Sequence, residues 1–466
     1  MIIFGAANAA GIVFLPLQIY AIAAVLPVLI FLCIRFPKTI TLLLGLFLLF
    51  QELIALQFSD NSFVNMALKR SEEFIILAVF FGILVKNIFI KKSWRQSGID
   101  LPFLGLIAVS ILGTLRNNIV PYIHSLFDLF ILLKGFFVFY IFYNMDLSRD
   151  EIVRVMKTFF VIAISIMALG MIDFMAPSFF RGLIHNTAYI DYRFGIPSVQ
   201  SIFIHPGMYG WFMAFSATLA FAVFIVLQKR RYFIYAACFT LGMLLSMRFK
   251  PVAGLLFALA AAFFIIPAVK KQRFVFISLV LVVFFAFLFG SEMRLLLNDR
   301  IYSYFQSPHQ YNIARNALYT ASFRIAADYF PFGAGLGTFG GWISALYYSP
   351  LYSQYGLDFV YGLQAGGEFI VDTFWPYIIG QFGFFGLFFY LWILLKFLHR
   401  SCVEYKNALS PVVKAFQLGA FMVILEAIPE SMASPIFLTP PAYFFIFGIM
   451  GITFSVAQRR SDAAEA

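Results

Sequence analysis

FIHPGMYGWFMAFSATLAFAVFIVL, residues 203–227, contains no Asp, Glu, Lys or Arg. About 17–25 apolar residues cross a bilayer as one helix, so this stretch suffices on its own. Phe274 to Gly290 is a second such run. The whole chain follows suit. It has 466 residues, 62% hydrophobic and only 12% charged, with a mean hydropathy of +0.91. A soluble domain would carry roughly twice that charged share. Many apolar runs mean a bundle of spans rather than one anchor.

Thirteen helical spans are predicted, over residues 13–34, 38–56, 72–90, 101–116, 122–143, 152–176, 205–227, 231–247, 251–269, 274–290, 375–398, 411–429 and 437–457. A twelve-span version, with the first segment lying in the interface, is the alternative. The first ten residues lack a charged n-region, so no cleavable signal peptide is expected. The net charge of +11 does not point to nucleic acid, because most basic residues sit in short loops. Clusters at Lys91–Arg95, Lys229–Arg231, Lys270–Arg273, Lys396–Lys414 and Arg459–Arg460 all fall on one side if the helices alternate. That side is assigned to the cytoplasm. Lys69 and Arg70 run against the trend. Cys33 and Cys238 lie in apolar runs and Cys402 in a cytoplasmic loop, so no disulfide framework is expected. No Cys/His spacing suggests a metal site.

The opposite, outer side carries one long connection, residues 291–374. It holds ten of the 23 tyrosines, Phe339, Trp342, four arginines and no lysine. Connections this long are functional or disordered, and the aromatic content argues against disorder. A folded cap of short helices is expected. Rings with apolar faces and polar edges suit sugars, although an interfacial aromatic belt uses the same residues. A second outer segment, 177–204, brings Arg181, His185, Asp191 and Arg193.

Three constellations could carry chemistry. Ser246-Met247-Arg248-Phe249-Lys250-Pro251 packs two cations into a tight outer turn, which suits an anionic lipid head group. Arginine's planar fork suits pyrophosphate in particular. Snorkelling to lipid phosphates in general explains the same turn. Arg324 precedes Pro331-Phe332-Gly333-Ala334-Gly335-Leu336-Gly337-Thr338-Phe339-Gly340-Gly341, whose consecutive amides could form an anion nest. A tight turn re-entering the membrane is the alternative. Gly335 to Gly340 matches G-x-G-x-x-G, but without a preceding strand a dinucleotide site is excluded. Glu368 and Asp372, ahead of Thr373 and Trp375, could deprotonate an acceptor hydroxyl or merely favour a helix N-terminus. The following Gly380, Gly383 and Gly386 allow close helix packing. Within spans, His124 and Asp128 share a face and could pair, and Lys134 needs a partner on another helix. Asp173, Glu52, Lys86 and Glu426 are further intramembrane candidates. Glu430 and His205 lie near outer span ends and could line a site, although His205-Pro206-Gly207 also simply starts a helix.

These elements resemble the O-antigen ligase and O-antigen polymerase superfamily over about residues 200–395. Ser246-Met247-Arg248 resembles its Ser-Arg step entering a span. Arg324, followed by ten residues and then Gly335 inside Pro331–Phe339, resembles its loop arginine with a glycine-rich stretch. Gly383 and Gly386 match a Gly-x-x-Gly that follows a His-Asn pair, but here that pair is Asp372-Thr373. The resemblance implies an all-α polytopic membrane protein, a single membrane domain over 1–466. It would have 12–13 transmembrane helices and one large helical periplasmic loop, like a C-type glycosyltransferase of the bacterial inner membrane. Its active site would face the periplasm.

The resemblance further implies a metal-independent polymerase of O-antigen or exopolysaccharide repeats, needing no cofactor. Undecaprenyl-pyrophosphate-linked glycan is the substrate. Membrane lipids and a chain-length regulator and flippase of the same pathway are partners; nucleic acid is not. Arg248 and Arg324 would hold the lipid pyrophosphate and Asp372 would act as base, with Glu368 and Glu430 in reserve. Lys250, Gly335, Gly337, Arg193 and Trp342 complete the expected substrate contacts. Asp in place of His favours polymerase over ligase. A ligase acting on lipid A core, a transporter or flippase, and a noncatalytic assembly scaffold are the competing readings.

Overall fold

The computed structural model describes residue 28 and residues 31–90, 96–145, 147–186, 190–193, 195–266 and 311–465. In chain order the helices are α1 (Pro37–Leu56), α2 (Ser62–Val85, continuing as a short π-helix, Lys86–Ile90), α3 (Asp100–Asn117), α4 (Tyr122–Tyr143), α5 (Arg149–Met175) and α6 (Pro177–Leu183). A two-residue hairpin follows, β1 (Tyr192–Arg193) antiparallel to β2 (Ile196–Pro197). Then come α7 (Pro206–Leu227), α8 (Arg230–Leu245), α9 (Phe249–Ile265), α10 (Tyr311–Asp328), α11 (Trp342–Leu346), α12 (Leu351–Gln354), α13 (Trp375–Asn407), α14 (Pro411–Ser431) and α15 (Ala442–Glu465).

The architecture is that of an all-α polytopic membrane protein. Six helices, α1, α4, α5, α7, α13 and α14, are long and apolar enough to cross a membrane, and α9 and Ala442–Val456 are shorter apolar helices. A helix stands at every predicted span among the described residues. The predicted span 274–290 and nearly all of 13–34 lie outside them, as do residues 291–310 of the long connection.

The quoted run became the central helix. On α7, 83% of the apolar window is buried, against 22% on α5. A helix that is apolar all round belongs inside a bundle, whereas α5 turns most of its surface outward. α7 packs on α8 and α14, and α9 closes against α14. Pro206 at the first helical position and His205 as N-cap start it, with His205 Nδ1 accepting from the Gly207 amide at 2.9 Å.

Three of the intramembrane charges singled out above, Lys134, Asp173 and Glu52, have ionic partners, whereas Glu426 is buried with neither carboxyl oxygen hydrogen-bonded. Lys134 on α4 reaches Glu72 on α2 at 3.1 Å. Asp173 at the end of α5 binds Arg181 at 2.9 Å and accepts the amides of Gln200 and Ser201. Glu52 lies 3.6 Å from Lys69. The expected His124–Asp128 pair does not form, because the long connection enters between them. Tyr347 stacks on His124 with centroids 3.6 Å apart, while Asp128 Oδ2 accepts from the Gly337 amide and the Tyr377 hydroxyl, each at 3.1 Å.

The long connection is folded over its described part, 311–374. Ala314, Leu318, Ala321 and Ile325 of α10 form a buried stripe that meets Ala334, Phe339, Tyr352, Leu363 and Ile370 in a small core of its own. The glycine-rich stretch then plunges into the bundle. Helix α13 is broken at Gly383 (φ +62°, ψ −163°), and a Cβ on Gly383 would stand 2.6 Å from the Gly333 nitrogen. Only glycine fits two backbones at that distance with positive φ on both.

Candidate functional site

Two glycines assemble the site. A Cβ on Gly210 of α7 would meet Ser246 Oγ at 2.5 Å and Pro251 Cγ at 3.1 Å, so the turn between α8 and α9 seats directly on the start of α7. A Cβ on Gly254 of α9 would meet the Glu426 carbonyl oxygen at 2.6 Å, so α9 lies flush against α14. The first contact brings Arg248 towards His205. The second brings Lys250 to the end of α14, where its ammonium donates to the Ala433 carbonyl. Met247 between them holds a left-handed φ of +54°, unusual for a long side chain. That kink ends α8 and lets Arg248 serve as the N-cap residue of α9.

The charges then form two ion-paired groups bridged by a field. Asp191, beside the small hairpin, accepts from Arg248 at 2.7 Å and from Arg193 at 3.2 Å. Arg193 also donates to the Met247 carbonyl at 3.3 Å. On the other side, Arg315 of α10 grips Asp372 through both Nε and a terminal nitrogen, the Nε at 3.0 Å. Lys250 lies in the field of Arg248, Arg315, Asp372 and Glu430 together, so these groups share one region. The ion-paired groups are half-open: their side-chain exposures run from 19% for Arg248 to 32% for Asp191. It draws on the start of α7, the α8–α9 turn, α10, the approach to α13 and the end of α14.

The electrostatics are cationic. Among the seven bases and acids that pair or couple, Arg193, Arg248, Lys250 and Arg315 face Asp191, Asp372 and Glu430. Burial lowers the Arg248 pKa to about 10, with Arg193 adding to the shift and Asp191 opposing it. Its Nε is buried and has no hydrogen-bond partner within the chain, leaving a donor for a ligand. His205 is exposed at its surface, yet its pKa falls to about 4. The protein mass around it contributes most, then Arg248 and Lys250, against Asp372 and Asp191. Its Nδ1 is already an acceptor for the Gly207 amide, so a neutral ring with Nε2–H fits the site. Tyr319, one turn beyond Arg315, donates to the Met432 carbonyl at 2.8 Å, and burial raises its pKa to about 12.

Of the residues expected from sequence, Arg248, Lys250, Asp372, Glu430 and Arg193 come together here. Arg324 does not. Nine residues after Arg315 it lies about 14 Å further along α10 and half a turn round, exposed on the other flank of the buried stripe. Gly335 and Gly337 do not form an open anion nest either. The amides of Gly335, Leu336 and Gly337 bind the Gln381 carbonyl, Thr114 Oγ1, and Asp128 with Gln381 Oε1. Of the two glycines, Gly337 alone meets a carboxyl group, that of the protein's own Asp128. Glu368 is exposed. Trp342 lies under the Arg70 guanidinium, 4.0 Å from its ring centroid. Arg315 and Asp191 were not singled out as site residues by the sequence. The signal for Arg315 was faint: it flanks the Ala314/Leu318/Ile325 stripe on the side of Tyr319.

Among the described residues, no three His, Cys, Asp or Glu side chains are grouped as a metal site would require. No protein-family model matches the chain, and a search of curated proteins finds no match.

Proposed function

We propose that this chain is a glycosyltransferase of the bacterial inner membrane that polymerises undecaprenyl-pyrophosphate-linked oligosaccharide repeats at the periplasmic face. The observation that carries the reading is the convergence of Arg193, Arg248, Lys250 and Arg315 from separate elements at one end of a membrane bundle. Four cations at a half-open interface suit a lipid-linked diphosphate. The second support is the folded, tyrosine-rich connection beside them, with ring faces for sugars.

In this reading the acceptor hydroxyl oxygen bonds to the anomeric carbon of the donor while the bond from that carbon to the pyrophosphate oxygen breaks. The leaving diphosphate gains negative charge, which Arg248 and Arg315 stabilise electrostatically. Asp372 is committed to Arg315, and so positions that arginine. Glu430, 4% exposed, keeps Oε2 without a partner and sits in the field of Lys250. It takes the role of proton acceptor from the hydroxyl. The test is complementation of a deletion strain. Wild type restores long chains. Arg248→Ala at normal protein level leaves single repeats on the lipid carrier. Long chains that build on the carrier in the deletion strain but never reach lipid A core would mean a ligase.

A further inference from the structure

A second feature lies at the far end of the bundle from the cation cluster. A cavity of about 500 Å³ opens between α1, α5, α7, α14 and α15, within the ~300–1,000 Å³ range of ligand sites. Its depth is set by α1, which lines it from Lys38 to Leu49. Eleven residues of helix rise about 16 Å, roughly half of a ~30 Å hydrocarbon core and so the depth of one leaflet. The walls are apolar, with Leu42, Leu46, Phe159 and Phe444 among them. Of the polar lining residues, Lys38 and Thr39 belong to the first turn of α1, Glu151 and Arg154 to the first two turns of α5, and Thr158 lies one turn deeper on α5. Lys38 and Glu151 are bonded across the mouth at 2.9 Å. Arg154 tips the charge of that rim to +1.

We propose that this cavity binds one chain of an anionic phospholipid from the leaflet on the Lys38 side, with the lipid phosphate at Arg154 and Lys38. The match has three parts: an apolar shaft, a depth of one leaflet, and a cationic rim only at the level where head groups lie. A water-soluble ligand would find little beyond the Thr158 hydroxyl along the shaft. A whole protein partner would not enter it. The site stands at the opposite end from Arg248, so it is independent of the transferase reading.

The test uses the full chain in nanodiscs of equal parts phosphatidylglycerol and phosphatidylcholine, followed by native mass spectrometry of lipid retained after release. Wild type retains phosphatidylglycerol selectively. Arg154→Ala lowers that retention about fivefold, as loss of one near-surface cation worth about 1 kcal/mol requires. Leu46→Trp, which fills the shaft and leaves the rim intact, abolishes retention of either lipid. Equal retention of both lipids by wild type overturns the charge argument. Unchanged phosphatidylglycerol retention in both variants overturns the site.

Discussion

At the scale of single residues, the behaviour of the cation cluster turns on which acids are already spent. Asp191 and Asp372 each hold an arginine, and Glu430 does not. In the proposed reaction, truncating Arg248 or Arg315 to Ala therefore removes charge that would face the leaving diphosphate, and polymer formation is expected to fall about a hundredfold or more. Arg324→Ala, on the exposed flank of α10, leaves chain length unchanged; gel profiles of the polymer check both. His205 gives a pH prediction. Its folded pKa of about 4 lies below the ordinary 6.5, so the unfolded chain binds more protons between those values. The stability it contributes is fully present above pH 6.5 and is lost as pH falls towards 4. With only five histidines in the chain, ¹⁵N-histidine NMR should find its ring neutral down to about pH 5. Titration near 6.5 would contradict the site electrostatics. That Arg248, Lys250 and Asp372 stand out together was legible because charges at span ends are anomalous whatever the fold. The exchange of Arg324 for Arg315 was not, because both flank the same apolar stripe and only the packing of α10 on α13 decides which flank faces the site.

At the scale of elements, the glycine-rich stretch works as a plug rather than a ligand loop. Its Gly337 amide donates to Asp128 Oδ2, and its backbone fills the break at Gly383. Gly333→Ala would drive a Cβ into Gly383 N and Gln381 O at a positive φ. About 1–3 kcal/mol of destabilisation follows, seen as a lowered melting temperature in detergent. Asp128→Ala costs a similar ~1–3 kcal/mol by stranding the Tyr377 hydroxyl. The Lys134–Glu72 pair ties α4 to α2 in the interior. Lys134→Met leaves Glu72 uncompensated, at roughly 3–5 kcal/mol, and the double change Lys134→Met with Glu72→Leu recovers most of it. The need of Lys134 for a partner was readable, since a lone buried ammonium is prohibitive. Its identity, and the meeting of Gly333 with Gly383, were not: glycine spacing marks a bend without naming what will lie against it.

At the scale of the molecule, the bundle separates two chemistries by its own length. One end gathers cations on tight turns and a folded connection; the other has a rim of charge above an apolar, leaflet-deep shaft. Hydropathy displayed the spans because a bilayer demands length and apolarity of every helix, and α7 showed in its sequence that it is central by being apolar on all sides. The cluster could be seen only in part, since Gly210 and Gly254 bring together turns far apart in the chain. The central claim is that the cluster holds a lipid diphosphate while sugars are joined. It is tested most directly by incubating the purified chain in proteoliposomes with the undecaprenyl-pyrophosphate-linked repeat isolated from the deletion strain, and following both polymer length and release of undecaprenyl pyrophosphate. The account predicts that wild type lengthens the glycan with one undecaprenyl pyrophosphate released per linkage, and that Arg248→Ala does neither while remaining folded. Unimpaired elongation by Arg248→Ala, or none by the folded wild type, would contradict it.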